Sequence, residues 1–330
     1  MNVVGLFQEF RSKRIAIVGD VMLDVYFMGK VHRMSPEAPV PILQLTTEEH
    51  RLGGAANVAL NLKALGAQVH LCSVIGDDVP GRQLHDLLLT EGIECSALHK
   101  AGVRKTTVKT RVLSGPKHLL RIDHEDVAPI DEWMAEKLIA SLKLLIGEGI
   151  DAIIFQDYNK GVLTDLVITE SVKLAKANGV LVCVDPKKDQ FLSYQEVDLF
   201  KPNLKELREG LEMELNPRDI NTLLVASSKL RDQLKHKISL ITLSEFGVFV
   251  DDGTFNTILP AHFRDISDVC GAGDTVIAVA TLALCSGLNL QQIAALANLA
   301  GGMVCEHSGV VSVNGEELLE EAKKLQHFNE

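Results

Sequence analysis

Clustered positive charge is missing from this sequence. Its 33 Lys and Arg are outnumbered by 44 Asp and Glu, the net charge is −11, and no basic tail or stripe gathers the cations. Phosphate neutralisation needs clustered Lys and Arg, so nucleic acid is excluded as a partner, while single anionic substrates stay open to a few local cations. Paired cysteines are also lacking: Cys72, Cys95, Cys183, Cys270, Cys285 and Cys305 show no CxxC or CxxxC spacing and mostly sit among apolar neighbours. That pattern excludes a disulfide framework or a zinc site and predicts reduced thiols in a cytoplasmic protein. His32, His50 and His118 have no metal-like spacing. The N-terminus places its positive charges after its apolar residues, which is not a secretory signal. Charge is absent altogether from Thr275 to Cys305, yet "SGLNLQQ" interrupts the run and the apolar piece before it is too short for a bilayer; two buried helices are expected instead of a membrane span. No internal repeat or low-complexity tract is present.

What is there is an alternation. "RIAIVGD", "VHLCSVIG", "AIIFQD", "VLVCVDP", "LFKPN" and "ISLITLS" are near-continuous apolar runs, expected as strands buried on both faces. Helical stretches such as "GRQLHDLLLTEG" and "DLVITESVKLAKANG" lie between them. The pattern predicts an α/β doubly wound, mostly parallel sheet flanked by helices, with ligands at the carboxyl ends of the strands. Length allows two domains, or one large unit with a small appendage. Two regions break the alternation. Tyr26–His50 lacks helical periodicity and holds three prolines within six positions; Lys105–Asp123 reads as a hairpin turning at Ser-Gly-Pro-Lys. Together they are expected to form a small β-sheet lid over about 26–50 and 105–123, although the hairpin fits an edge of the main sheet as well.

Two glycine motifs carry the chemistry. In "DVCGAGDTV" the residues Gly271, Ala272 and Gly273 open the first uncharged helix, so their free amides and the helix dipole make an anion hole. The same field would keep Asp274 ionised as a proton acceptor. Phosphoryl transfer needs just such a positive surround and a base near the attacking hydroxyl, although helix capping also explains an Asp there. In "GGAANVALNLKALG" two glycines precede a helix with Asn57 in its first turn, suited to polyol hydroxyls or simply to a tight turn. Neither motif has the third glycine of a dinucleotide fingerprint.

Taken together, these motifs resemble the paired signatures of the ribokinase-like (PfkB) carbohydrate kinases, over nearly the whole chain from "IVGDVMLD" to "SGVVSV". "GDVMLDVY", "RMSPEAPVP", "DYNKG", "VDPK" and "PNLKE" further resemble the heptose 7-phosphate kinases. The resemblance implies ATP-dependent phosphorylation at C1 of D-glycero-D-manno-heptose 7-phosphate, on the route to ADP-heptose and lipopolysaccharide core. It implies Asp274 as catalytic base, Gly271, Ala272 and Gly273 as anion hole, and Asp24, Gly53, Gly54 and Asn57 as sugar contacts. Asn203, Leu204, Lys205 and Glu206 match the ATP-side Asn-x-x-Glu segment, with Asn203 and Glu206 near Mg²⁺ and its waters. Thr242, Ser244 and Gly247 match the stretch lining the nucleotide phosphates and ribose, and Asn298 a position beside adenine. Asp268 matches a carboxylate near a monovalent-cation site, which implies K⁺. A homodimer through the lid is expected. The relatives include fusions to a C-terminal nucleotidyltransferase.

Cys270 stands where these kinases have Thr; it is either a reactive thiol at a helix start or an inert buried one. Cations for the distal phosphate are sought among Arg33, Arg51, Arg111, Arg121 and Lys187, with Arg33 and Lys187 favoured because they lie inside the heptose motifs. The competing readings are a PfkB kinase for another sugar, sugar phosphate or nucleoside, and a catalytically silent sugar-binding regulator.

Overall fold

The computed structural model describes residues 2–328. Chain order runs α1 (Val3–Phe10), β1 (Arg14–Gly19), β2 (Val21–Met34), β3 (Pro41–Gly54), α2 (Ala55–Ala64), β4 (Gln68–Gly76), α3 (Val79–Thr90), β5 (Leu98–Ala101), β6 (Val108–Ser114), β7 (Lys117–His124) and α4 (Glu132–Gly147). It continues through β8 (Ala152–Gln156), α5 (Asp165–Ala177), β9 (Leu181–Asp185), β10 (Leu199–Phe200), α6 (Leu204–Leu211), α7 (Ile220–Leu234), β11 (Ile238–Thr242), β12 (Val248–Asp251), β13 (Asn256–Leu259), α8 (Ala272–Cys285), α9 (Leu290–Val304) and α10 (Gly315–Ala322).

The main sheet has nine strands in the order β13-β12-β11-β10-β9-β8-β1-β4-β5, parallel from β11 to β5, with β12 and β13 antiparallel at one edge. Strand side chains alternate between two apolar cores, which is the two-residue period of a sheet covered on both faces. Ile15, Ile17, Leu71 and Ile154 pack under α1, α2, α8 and α9; Ala16, Val18, Cys72 and Phe155 pack against α4, α5 and α7. The uncharged run from Thr275 falls in α8 and α9, and among the described residues no helix is long and apolar enough to cross a membrane.

A second sheet of four strands, β3-β2-β6-β7, leaves the first at Asp20 with no linker between β1 and β2. The β6–β7 hairpin pairs with β2, β6 running parallel to it, and not with the edge of the main sheet. The strands reach further than the sequence reading: β2 begins at Val21 and β3 ends at Gly54, so "VMLD" and "GG" belong to the second sheet. The cause is burial. Val21 to Tyr26 and Leu52 to Gly54 are all buried where this sheet meets α2 and the main sheet.

Candidate active site

Asp274 lies in the first turn of α8, opposite the carboxyl ends of β8 and β9. Its carboxylate accepts hydrogen bonds from Asn57 Nδ2 at 2.7 Å, Tyr158 Oη at 2.8 Å and Gln156 Nε2 at 3.0 Å. All three donors come from outside α8, so Asp274 does not cap its own helix. Burial pushes its carboxyl up to about 7; the bond from Asn57 opposes this, while the nearby Asp185 charge adds to it. The helix field that was expected to keep Asp274 ionised is therefore outweighed by desolvation and a like charge. Near neutral pH the group divides between acid and base, the range in which a carboxylate serves as a general base.

Asp185, at the end of β9, accepts from Gln156 Nε2 at 3.2 Å and pairs with the buried Lys201 at 3.0 Å. A methyl placed on Gly273 would stand 3.6 Å from both Asp185 Oδ2 and Lys201 Nζ, so the start of α8 faces this pair. Lys187 pairs with Glu206 and lies 5.2 Å from the centre of the Tyr158 ring. Burial pulls its ammonium down, but Asp185 and Glu206 together outweigh that and hold it above the ordinary lysine range. Gln156, Tyr158, Asp185 and Lys201 were not singled out from sequence. They lie 73 to 118 residues from Asp274, and the available signal was only that the first three follow or end apolar strands.

The second sheet brings its base to the same place. Asp24 and Tyr26 share one face of β2, and Arg51 and Arg111 stand across from them on β3 and β6. Asp24 is buried and paired with Arg111; burial raises its carboxyl and Arg111 pulls it back. A Cβ on Gly53 would run into the Asp24 carboxylate, so only glycine leaves room for it. Asn57, expected on the sugar, has its amide nitrogen on Asp274.

On the other side, Asn203 and Glu206 form a capping box at the start of α6: Asn203 Oδ1 accepts from the Glu206 amide at 2.8 Å, and Glu206 Oε2 from the Asn203 amide at 2.8 Å. Leu204 packs against the core, and the Lys205 ammonium lies outside beside Glu209, away from the cluster. Thr242 bridges to Asn203, joining the end of β11 to this cap. Ser244 and Gly247, with φ of 55° and 93°, shape the turn that follows. Asn298 donates to the Pro260 carbonyl at 2.8 Å and so pins the loop before α8.

Several expected residues are not brought in. Arg33 is exposed nine positions beyond Asp24 on β2, about 30 Å along the strand at 3.3 Å per residue, and cannot reach Asp274 within one protomer. Arg121 pairs with Asp123 at the surface. Lys187, expected on the distal sugar phosphate, does lie within the cluster, where it pairs with Glu206 beside the Tyr158 ring. The Cys270 thiol is half-buried, and burial and its neighbour Asp268 push it up to about 11, which favours the inert reading. Asp268 itself accepts from the Cys270 and Gly309 amides, each at 3.0 Å.

The family model described as pfkB family carbohydrate kinase matches residues 12–316. Over 312 residues the chain is 38% identical to the bifunctional protein HldE of Helicobacter hepaticus and to that of Methylobacillus flagellatus, covering 94% of this chain and 64% of each relative. It thus spans less than two thirds of the length of these curated relatives. Among solved structures, phosphofructokinase-2 from Escherichia coli in complex with potassium aligns with a TM-score of 0.77 at 18% identity, covering 94% of this chain and 98% of that one. Arabidopsis thaliana ribokinase complexed with ribose and ATP aligns at 0.72 and 16%, covering 95% and 99%. These two likenesses establish a shared ribokinase-like fold.

Proposed function

Because the chain belongs to the pfkB family of carbohydrate kinases, we propose that it transfers the γ-phosphoryl group of ATP to the C1 hydroxyl of D-glycero-D-manno-heptose 7-phosphate, the kinase step toward ADP-heptose. The observation that carries the chemistry is Asp274: a buried carboxylate held by three donors at the open N-terminus of α8, where burial pushes it up to about 7. The motifs "RMSPEAPVP", "DYNKG" and "VDPK" support the choice of sugar, beside the 38% identity to HldE proteins.

In this reading Asp24, with Arg111 behind it, holds sugar hydroxyls, and Arg111 is the cation nearest to them for the distal phosphate. The attacking hydroxyl gives its proton to an Asp274 oxygen as its own oxygen bonds to the γ-phosphorus and the bond to ADP breaks. Charge spread over the phosphoryl oxygens meets the amides of Gly271 and Gly273 and the positive end of α8, while the Ala272 amide is turned to the Val269 carbonyl at 3.4 Å. Lys187 and Lys201 keep positive charge beside the Asp185 and Glu206 carboxylates as the phosphates arrive.

Magnesium fits on the Asn203–Glu206 side. Among the described residues no three His, Cys, Asp or Glu side chains gather as a metal cage. A carboxylate and a carboxamide whose oxygens already serve a helix cap suit an ion carried on nucleotide phosphates and reached through its waters. Held there by Asn203 and Glu206 through its waters, it would supply positive charge against the nucleotide phosphates. Potassium at Asp268 fits poorly, since the Arg51 guanidinium already takes the Ser308 and Val310 carbonyls beside that carboxylate.

The second sheet is proposed as lid and dimer surface, because Leu45, Leu120 and Ile122 leave apolar side chains exposed on it. The deciding experiment measures ADP release across sugar 7-, 6- and 1-phosphates and unphosphorylated sugars. Heptose 7-phosphate should give the highest kcat/KM. Faster turnover of another sugar or nucleoside would reassign the substrate, and silence with every acceptor would leave a sugar-binding regulator.

A further inference from the structure

The turn at 308–310 packs on the anion hole and is gripped by one side chain of the second sheet. Gly309 has φ +73°, a left-handed turn that aims the carbonyls flanking it at one point. That point is occupied: Arg51 Nη1 donates to the Ser308 carbonyl at 3.0 Å and the Val310 carbonyl at 3.2 Å. The guanidinium is fixed from behind by Glu49 at 2.6 Å, and its carbon lies 4.7 Å from the centre of the Tyr26 ring. The Tyr26 hydroxyl accepts from the Val310 amide at 3.1 Å. A methyl on Gly309 would meet Arg51 Nη1 at 2.8 Å and the Tyr26 ring at 3.0 Å, so the contact is tight.

From this turn the path to the active site is short. The Gly309 amide donates to Asp268 Oδ2, the Cys270 amide donates to Asp268 Oδ1, and Cys270 precedes the Gly271 N-cap of α8. A Cβ on Gly271 would touch Val310 at 3.4 Å. Converging carbonyls beside a carboxylate are hard oxygen donors that favour a cation. Potassium is bound by one structural relative; here the carbonyls hold a guanidinium and the carboxylate holds amides.

We propose that Arg51 is a built-in cation. Its guanidinium does the work of an exchangeable monovalent ion, holding the 308–310 turn against Asp268 and thereby setting the amides at the start of α8. Arg51 is a positioning residue in this role. Only the activity arm of the test rests on the kinase reading.

Thermal melts are compared in potassium chloride and tetramethylammonium chloride at one ionic strength of about 0.1 M. Wild type should melt at the same temperature in both salts, within about 1 °C. Arg51→Ala should melt lower in tetramethylammonium and recover part of the loss in potassium or dilute guanidinium. Arg51→Lys, which keeps a cation with different reach, should fall between them. Thallium-205 NMR of the wild type, which needs no variant, should show no bound signal that potassium displaces. In turnover, wild type should be indifferent to potassium, and Arg51→Ala should lose roughly tenfold or more, the scale of charge-assisted hydrogen bonds, with partial rescue by potassium. A potassium-specific rise in the wild-type melt, or a displaceable thallium signal, overturns the proposal. So does an Arg51→Ala protein that melts and turns over like wild type, or one whose loss neither cation repairs. If the melting and thallium results hold while no sugar is phosphorylated, the kinase reading fails and the built-in cation stands.

Discussion

Replacing Asp274 with asparagine should cut turnover at least ~10²-fold and, above neutral pH, make the protein more stable. The carboxyl goes from an ordinary 3.8 to about 7 on folding. Its contribution to stability is therefore fully present below pH 3.8 and is lost as pH rises through about 7, where the buried site must accept a charge. The whole shift corresponds to about 4 kcal/mol. Asparagine stays neutral and so avoids that loss. Its carbonyl oxygen can still accept from Gln156 and Tyr158, but its amide would face the Asn57 Nδ2 donor, a mismatch of roughly 1–3 kcal/mol. The net gain at about pH 8 is then roughly 1–3 kcal/mol. For 330 residues the unfolding entropy is about 0.7 kcal/mol/K, so the melting temperature should rise by roughly 1–4 °C. At pH 5 only about 1.7 kcal/mol of that loss has accrued, the mismatch offsets it, and the variant should be about as stable as wild type or less so. The assay is differential scanning calorimetry at both pH values beside ADP release, where kcat should fall at least ~10²-fold with ATP still bound. A variant less stable than wild type at pH 8 would refute the buried-acid argument, and near-normal turnover would refute the base.

The same ionisation sets the pH profile: kcat/KM should climb with pH to a plateau past an apparent pKa near 7, because only the deprotonated carboxylate accepts a proton, and a profile flat from pH 5 to 8 contradicts this. Gly53→Ala should lower kcat/KM by roughly tenfold or more, mostly through sugar KM, because the added methyl displaces Asp24; unchanged sugar KM would show that the carboxylate does not grip the substrate. Lys187→Ala should raise KM for ATP by roughly tenfold through loss of the Glu206 pair, and a selective loss of preference for phosphorylated over unphosphorylated sugar would return Lys187 to the distal phosphate. Leu120→Glu with Ile122→Glu should dissociate the proposed dimer in analytical ultracentrifugation, and a double variant that remains dimeric puts the interface elsewhere.

The parallel strands were legible because β1, β4, β8, β9 and β11 are apolar on both faces, and burial on both faces writes an unbroken run into the sequence. β5, β12 and β13 each have four residues, too few for periodicity to show, and went unread. Asp274 was visible through its glycines; what sets its acidity was not. Gln156 and Tyr158 hold it across separations of 118 and 116 residues, contacts that only the sheet order creates. Arg33 stands apart for a related reason. A motif shows that residues travel together along the chain, but a β-strand that advances about 3.3 Å per residue carries its far end out of reach.

That long strand has a mechanical meaning. β2 has 14 residues, an arm of about 46 Å along the strand with register shifts at Met28/Gly29 and Val31/Arg33, and it starts one residue after the main sheet ends. The intervening residue, Asp20, is clamped: its carboxylate accepts from the amides of Tyr158, Lys160 and Val162 at 2.9, 3.0 and 3.1 Å, and its carbonyl accepts from Ala55 at 2.9 Å. Asp20 is a fulcrum with a lever attached. A rotation of about 5° there swings the tip near Met34 through about 4 Å, while Asp24, four residues from the pivot, shifts by only about 1 Å. The lever's far end can thus travel widely while the sugar-side carboxylate barely moves. Tyr158 both grips Asp20 through its backbone and touches Asp274 through its hydroxyl, so the root of the arm is tied to the base itself.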